Sequence, residues 1–311
     1  MVEIIVYGYE MAPNPQKLLQ FLSFYNIPFK YVEIPIMLPR PDFTAIDIHY
    51  RRAPLLSIDS DMYVDNALII EKLGDIAAHT GPDVETTNHL EFDALGQVAF
   101  KSAVGLVPVD SPMLKDGAFV RDRTELLGVP FSAEKMAEAR PQTLSTMLSV
   151  LSVIKRTFLD NGDREFFLGG ERPSTADMYL YWSVNWGLNG HGGARPEISP
   201  ETHPEIFAWL SRVAAFLGPR RQDTKISWSE AKAVLLKPPV HEYAKFVPHD
   251  EHNVLGLGRG RQITVTPTDS GRTHPQPGEL ISLNDDQVCL RNKSGLVMHF
   301  PRLGYLIQAA E

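Results

Sequence analysis

Hydrophobic periodicity changes twice along these 311 residues, and that pattern restricts the architecture more than any single motif. The opening segment "EIIVYG" (3–8) reads as a buried strand. Residues 15–26 follow as a helix, with Leu18, Leu19, Phe21, Leu22 and Tyr25 at helical spacing. "PFKYVEIPI" alternates as a second strand, and "PLLSIDSDMYVD" reads as two short strands joined by an Asp-Ser-Asp turn before a helix that begins near Asn66. From residue 85 the period becomes helical, with helices expected at 87–106, 114–127, 132–160 (Pro141 marking a kink or boundary), 174–188, 203–217 and 227–236. Beyond residue 250 the strand period returns in "RQITVTP", "GELISLN", "DQVCLRN", "GLVMHFP" and "GYLIQAA". Three domains are therefore expected: a mixed α/β domain over 1–80, an all-α domain over 85–236 and a small all-β module over 250–311. They are joined through "HTGPDVETTNHL" and "KPPVHEYAKFVPHDEHN".

The order βαβ then αββα in the first domain is that of thioredoxin-like folds, a mixed sheet with helices on both faces. For the β module the inward set is read as Val265, Ile281, Val288, Leu290, Val297 and Phe300. So small a sheet without a disulfide has too little interior to stand alone. It is expected to cover a face of the all-α domain, with the mouth of the cleft or a second subunit as alternatives.

Composition removes several classes of function. A formal charge of -8 with no Lys/Arg run argues against nucleic acid or an anionic membrane as partner. No apolar run approaches the roughly 18–20 residues that span a bilayer. The amino-terminal "MVEIIVYGYE" lacks the features of a signal peptide, and the single cysteine, Cys289, excludes an internal disulfide and suits a reducing compartment. A cytoplasmic location is expected. "HDEH" (249–252) is a weak metal pattern with no second cluster, so no metal is expected. "GLGRG" near Gly256 follows no strand and opens no helix, unlike a dinucleotide fingerprint.

Three stretches could carry chemistry. "YGYEMAPNPQKLLQF" (7–21) runs from a strand into a helix N-terminus, with Asn14 expected as N-cap and Pro15 at the first helical position, yet it has no cysteine or serine at the turn. "RRAPLL" places Arg52, Ala53 and Pro54 before a strand, and Asp65-Asn66 open a helix eleven residues after Pro54. A cis-proline would present the Ala53 main chain to an extended peptide, Asp65 could hold an ammonium, and the helix start with Asn66 could hold the neighbouring carboxylate. "FFLGGERPSTADMYLYW" contains Ser174-x-x-Asp177, a capping box whose role is structural.

With these stretches in place, residues 3 to about 220 resemble the glutathione S-transferase superfamily, and the β module lies outside the usual pattern. The resemblance implies glutathione as co-substrate, bound at Arg52, Ala53, Pro54, Asp65 and Asn66, and commonly a two-fold dimer, which the extra module could block or replace. It puts Ala12 where other members carry a catalytic serine or cysteine and makes Tyr7 the matching catalytic tyrosine. Tyr9 and Asn14 are the runners-up, and simple packing is the competing role for Tyr7. A second-substrate pocket is expected from Tyr9, Met11, Phe100, Val104 and Met113. The implied activity is a transferase or isomerase acting on a small hydrophobic electrophile. The alternatives are a binding or assembly module and a specialised-metabolism enzyme that has abandoned glutathione.

Overall fold

A computed structural model of the chain describes residues 2–79, 87–191, 193–194, 196–238 and 246–310, so parts of both expected linkers lie outside the described residues. In the first domain β1 (Ile4–Gly8) pairs in parallel with β2 (Phe29–Glu33) and antiparallel with β3 (Leu55–Ile58), which turns through Asp59-Ser60 into β4 (Asp61–Val64). The strand period divides β1 between two cores. Ile4 and Val6 pack with α1 (Pro13–Phe24) and α3 (Asn66–Ala78), whereas Ile5 and Tyr7 face the side that carries Phe43 of α2 (Pro41–Thr44).

The helical domain holds α4 (Asp93–Gly105), α5 (Pro112–Lys115), α6 (Gly117–Leu127), α7 (Ala133–Val153), α8 (Thr175–Asn185) and α9 (Pro204–Leu217). α7 runs through Pro141 unbroken and is extended by a π turn over Ile154–Phe158. The Ser174/Asp177 capping box forms as expected. Asp177 is fully buried and also accepts from Phe167 N (3.1 Å) and Trp209 Nε1 (2.9 Å), so it ties three segments together. No helix among the described residues is long and apolar enough to cross a membrane.

Two placements differ from the periodicity reading. The chain returns to the first sheet after α9. β5 (Asp223–Lys225) pairs in parallel with β2, and α10 (Trp228–Leu235), read as the last helix of the all-α segment, packs Ala231, Val234 and Leu235 into the same core as Tyr7. Trp228 is the reason: its ring meets Tyr7 at 6.1 Å and Phe43 at 5.3 Å, apolar surface that the helical domain does not offer.

The β module comprises β6 (Gln262–Pro267), β7 (Gln276–Leu283), β8 (Gln287–Arg291), β9 (Val297–Pro301) and β10 (Tyr305–Ala309). It does not cover a face of the all-α domain. β9 pairs in parallel with β4, Asp61 opposite Val297 and Tyr63 opposite His299. One sheet of ten strands results, in the order β10-β6-β7-β8-β9-β4-β3-β1-β2-β5. The unpaired edge of β4 is the physical reason, since an edge strand offers a row of free N–H and C=O groups. Val265, Val288, Leu290 and Phe300 join the core of Tyr7. Val297 and half-buried Ile281 lie instead on the opposite face, with Cys289 and Val247.

Candidate active site

A cavity of about 600 Å³ lies where the N-termini of α1 and α3 meet the turn at 50–54, α4 and α6. α1 begins one step earlier than its sequence suggests. Ala12 is the N-cap, Pro13 opens the helix, and Asn14 stands in the first turn, half-buried against the cavity. Neither Pro13 nor Pro15 has an N–H, and those of Ala12 and Gln16 are spent on Tyr9 O (3.2 Å) and Ala12 O (3.1 Å). Asn14 therefore supplies the remaining main-chain donor of this helix start, where the helix dipole favours an anion.

Tyr7 is not brought to this cavity. Its side chain is fully buried in the core, with its hydroxyl 3.3 Å from Ser57 Oγ, and burial pushes the phenol well above its ordinary range. The strand alternation that pairs Tyr7 with Ile5 also turns it away from the α1 mouth. Tyr9, two residues on, does line the cavity, together with Met11, Phe100, Val104 and Met113. These five add apolar surface to its wall, Met11 being 60% exposed.

Arg52, Ala53, Pro54, Asp65 and Asn66 are all on the cavity wall. The Ala53–Pro54 peptide bond is cis. Asp65 holds φ at 72°, a backbone region that L residues avoid, and such conformations cluster where geometry serves function. Its Oδ1 caps α3 through Ala67 N (3.1 Å), and its Oδ2 accepts from Arg52 Nη2 (2.5 Å) and Tyr305 Oη (3.0 Å). Arg52 also donates through Nη1 to Asp269 Oδ1 at 2.7 Å. Burial works against the Arg52 charge, but Tyr50, Tyr305, Asp65 and Asp269 outweigh it and hold its pKa above the usual value. Asn66 spends its Nδ2 on Asn14 O (3.1 Å), which couples the two helix starts. Its Oδ1 is buried and has no hydrogen-bond partner among the described residues.

Further residues on the wall carried no sequence signal. α6 roofs the cavity: Arg51 bonds Asp122 O (2.7 Å) and pairs with Asp122 Oδ1 (2.8 Å), while Arg123 donates to Ile36 O (2.9 Å). Arg40, buried, donates to Pro35 O (2.9 Å) and Arg51 O (2.6 Å), and burial pulls its pKa down. Lys17, also buried, reaches Asp93 Oδ1 of α4 at 2.5 Å beneath the rings of Tyr179 and Trp182, fastening the two domains under the cavity. Asp269 and Ser270 arrive from the β module.

Comparison with known proteins gives a consistent architecture and little sequence kinship. A family model described as a domain of unknown function (DUF7962) matches residues 102–221. No curated protein matches the chain in sequence. Among solved structures, a GST-like protein from Pseudomonas syringae is similar over 99% of this chain and 100% of its own, with a TM-score of 0.68 and 24% identity. A glutathione S-transferase from Methylobacillus flagellatus KT, solved with GSH bound, covers 71% of this chain and 100% of its own at a TM-score of 0.49 and 15% identity.

Proposed function

We propose that this chain, which has the glutathione S-transferase fold with a β module added at its C-terminus, binds glutathione and uses its thiolate on a small hydrophobic electrophile. One observation carries the reading: Asn14, Ala53, Asp65 and Asn66 line one cavity together with the apolar side chains of Phe100, Val104 and Met113. The main chain of Ala53 pairs with the cysteinyl unit, as an added strand would. The γ-glutamyl ammonium goes to Asp65, and its carboxylate to the N–H groups that open α3. Arg52, held between Asp65 and Asp269, orients Asp65 rather than meeting a ligand carboxylate. Arg40, with only carbonyl oxygens as hydrogen-bond acceptors among the described residues, suits the glycyl carboxylate.

The sulfur then lies at the start of α1. Asn14, through its N–H and side-chain amide, favours the thiolate over the thiol, and water takes the proton. Attack forms a sulfur–carbon bond to an electrophile resting on Phe100, Val104 and Met113. Expulsion of a leaving group gives a transferase, and later release of glutathione from a rearranged adduct gives an isomerase. Thiol chemistry of this kind, with Cys289 buried, fits a cytoplasmic setting.

A second reading, the same fold without glutathione chemistry, is favoured by Asp65 already having a partner on each oxygen. Calorimetric titration with glutathione, followed by conjugation of an aryl halide, separates the two. Saturable heat in the micromolar to millimolar range with turnover is expected. Absence of heat would remove the glutathione reading.

A further inference from the structure

Tyr9 has a hydroxyl that the fold does not use. The residue is 9% exposed, its ring belongs to the core that holds Tyr7 and Phe43, and its carbonyl accepts from Ala12 N at 3.2 Å, so the side chain is fixed in place. Among the described residues no hydrogen bond reaches its Oη, whereas Tyr7 Oη lies 3.3 Å from Ser57 Oγ. Nor is the oxygen sealed inside the protein, as the unpartnered Tyr31 Oη is. Tyr9 lies on the cavity wall, and the cavity is the open space beside it. Burying a hydroxyl that no protein group satisfies carries a cost that phenylalanine, with the same ring, would avoid. The hydroxyl therefore points to a partner held in the cavity.

The neighbours of Tyr9 decide whether that partner accepts or donates. Arg40, 5% exposed, is close enough to interact with Tyr9 electrostatically, and Arg51, Arg123 and Asp122 act on the same guanidinium. The carboxylate among them, Asp122, is already paired with Arg51 (2.8 Å) and Arg123 (2.9 Å). Arg40 is fixed by Pro35 O (2.9 Å) and Arg51 O (2.6 Å), and Arg123 by Ile36 O (2.9 Å), the next carbonyl along the chain. Beside a fixed cation a hydroxyl turns its oxygen toward the charge and its hydrogen away, so Tyr9 is set to donate. A donor of this kind stabilises most an oxygen on which negative charge develops during reaction.

We propose that Tyr9 donates a hydrogen bond to the carbonyl oxygen of a conjugated enone or enal, so that the electrophile of this site takes up glutathione without losing a group. The inference rests on the glutathione reading and deepens it by naming the substrate class. The thiolate sulfur bonds to the β-carbon, the C=C pair moves to join the α-carbon and the carbonyl carbon, and the C=O pair becomes a charge on oxygen, where Tyr9 holds it. Water then protonates the α-carbon and the carbonyl reforms. Glutathione has added across the double bond, with no oxidant and no leaving group. Displacement of a halide from a saturated carbon puts no charge on an oxygen and gains nothing from this donor. Tyr9 touches the reacting oxygen and is in this sense a catalytic residue.

The test sets two electrophiles against each other on the full chain with glutathione: benzylideneacetone, an enone, and benzyl chloride, which has no oxygen. Tyr9→Phe, which removes no internal hydrogen bond, should keep the wild-type melting temperature and slow the enone about a hundredfold more than the chloride. A second measurement needs no turnover. With S-methylglutathione, whose sulfur is blocked, the infrared carbonyl stretch of the enone bound to the wild-type protein should lie below its value in an apolar solvent, and Tyr9→Phe should restore it. Equal slowing of both electrophiles would place Tyr9 on the sulfur and overturn the proposal. An unshifted carbonyl stretch in the wild type, or turnover of the chloride without the enone, would overturn it as well. Failure of the wild-type protein to bind glutathione would instead sink the parent reading, so the two failures are distinguishable.

Discussion

Tyr7 and Asn14 lie seven positions apart and face different surroundings. The hydroxyl of Tyr7 meets Ser57 inside the core; Asn14 meets the cavity. Tyr7→Phe should therefore leave glutathione-dependent turnover within about twofold of wild type and cost about 0.5–1.5 kcal/mol in stability, the usual worth of one internal hydrogen bond. Asn14→Ala should cut turnover about ten- to a thousandfold and raise the pKa of bound glutathione, the effect of removing one donor from an anion-stabilising site. Thiol titration by ultraviolet absorbance together with steady-state rates checks both, and an unaffected Asn14→Ala would send the thiolate donor elsewhere. At this scale the sequence displayed the residues near one another in the chain, Arg52 to Pro54 and Asp65-Asn66, because turn chemistry and helix starts are local. It could not display Asp269 or Tyr305, which reach Arg52 and Asp65 respectively only through tertiary contact across more than two hundred positions.

Helices were legible from their period, but what joins them was not. His191, in the loop that follows α8, clasps two helices. His191 Nε2 lies 3.0 Å from Ala103 O near the end of α4, its Nδ1 accepts from Gly193 N at 3.1 Å, and its ring abuts Trp186 at 4.7 Å in the turn that follows α8. Gly193 has no room for a side chain, since a Cβ would lie 1.6 Å from Leu106 O. Such contacts depend on backbone proximity that no local pattern encodes. With Nδ1 accepting, the ring is neutral, and burial lowers its pKa below the ordinary 6.5. Between these two values the unfolded chain holds more protons than the folded one. The stabilisation is thus complete above about pH 6.5 and is lost as pH falls toward the folded value. Urea melts from pH 7.5 to 5.5 should show wild type losing stability. His191→Asn should be weaker by about 1–3 kcal/mol at pH 7.5, the cost of orphaned buried partners, but flatter with pH. A variant with the wild-type slope would assign the pH dependence to other groups.

On the scale of the whole molecule, the alternating runs after residue 250 announced strands but not their destination, because pairing of β9 with β4 is a backbone event that leaves no mark on either side-chain pattern. The consequence is a shared core: Met62 and Val64 of β4 pack in the same cluster as Met298 and Phe300 of β9 and Val265 of β6. Two-fold association by extending the sheet through β4 is closed, and the sheet's outer strands are β10 and β5. Truncation after Lys237 would strip the β4 edge, uncover that cluster, remove Asp269 from the cavity wall and take the Tyr305 hydroxyl from Asp65. An exposed edge beside bare apolar surface favours association over refolding. The shortened chain should lose soluble yield, melt well below the full-length protein and bind glutathione more weakly. Size-exclusion chromatography and thermal melts of both forms decide the matter: a soluble product with unchanged melting temperature would mean that the first domain is stable without the five strands that now continue its sheet.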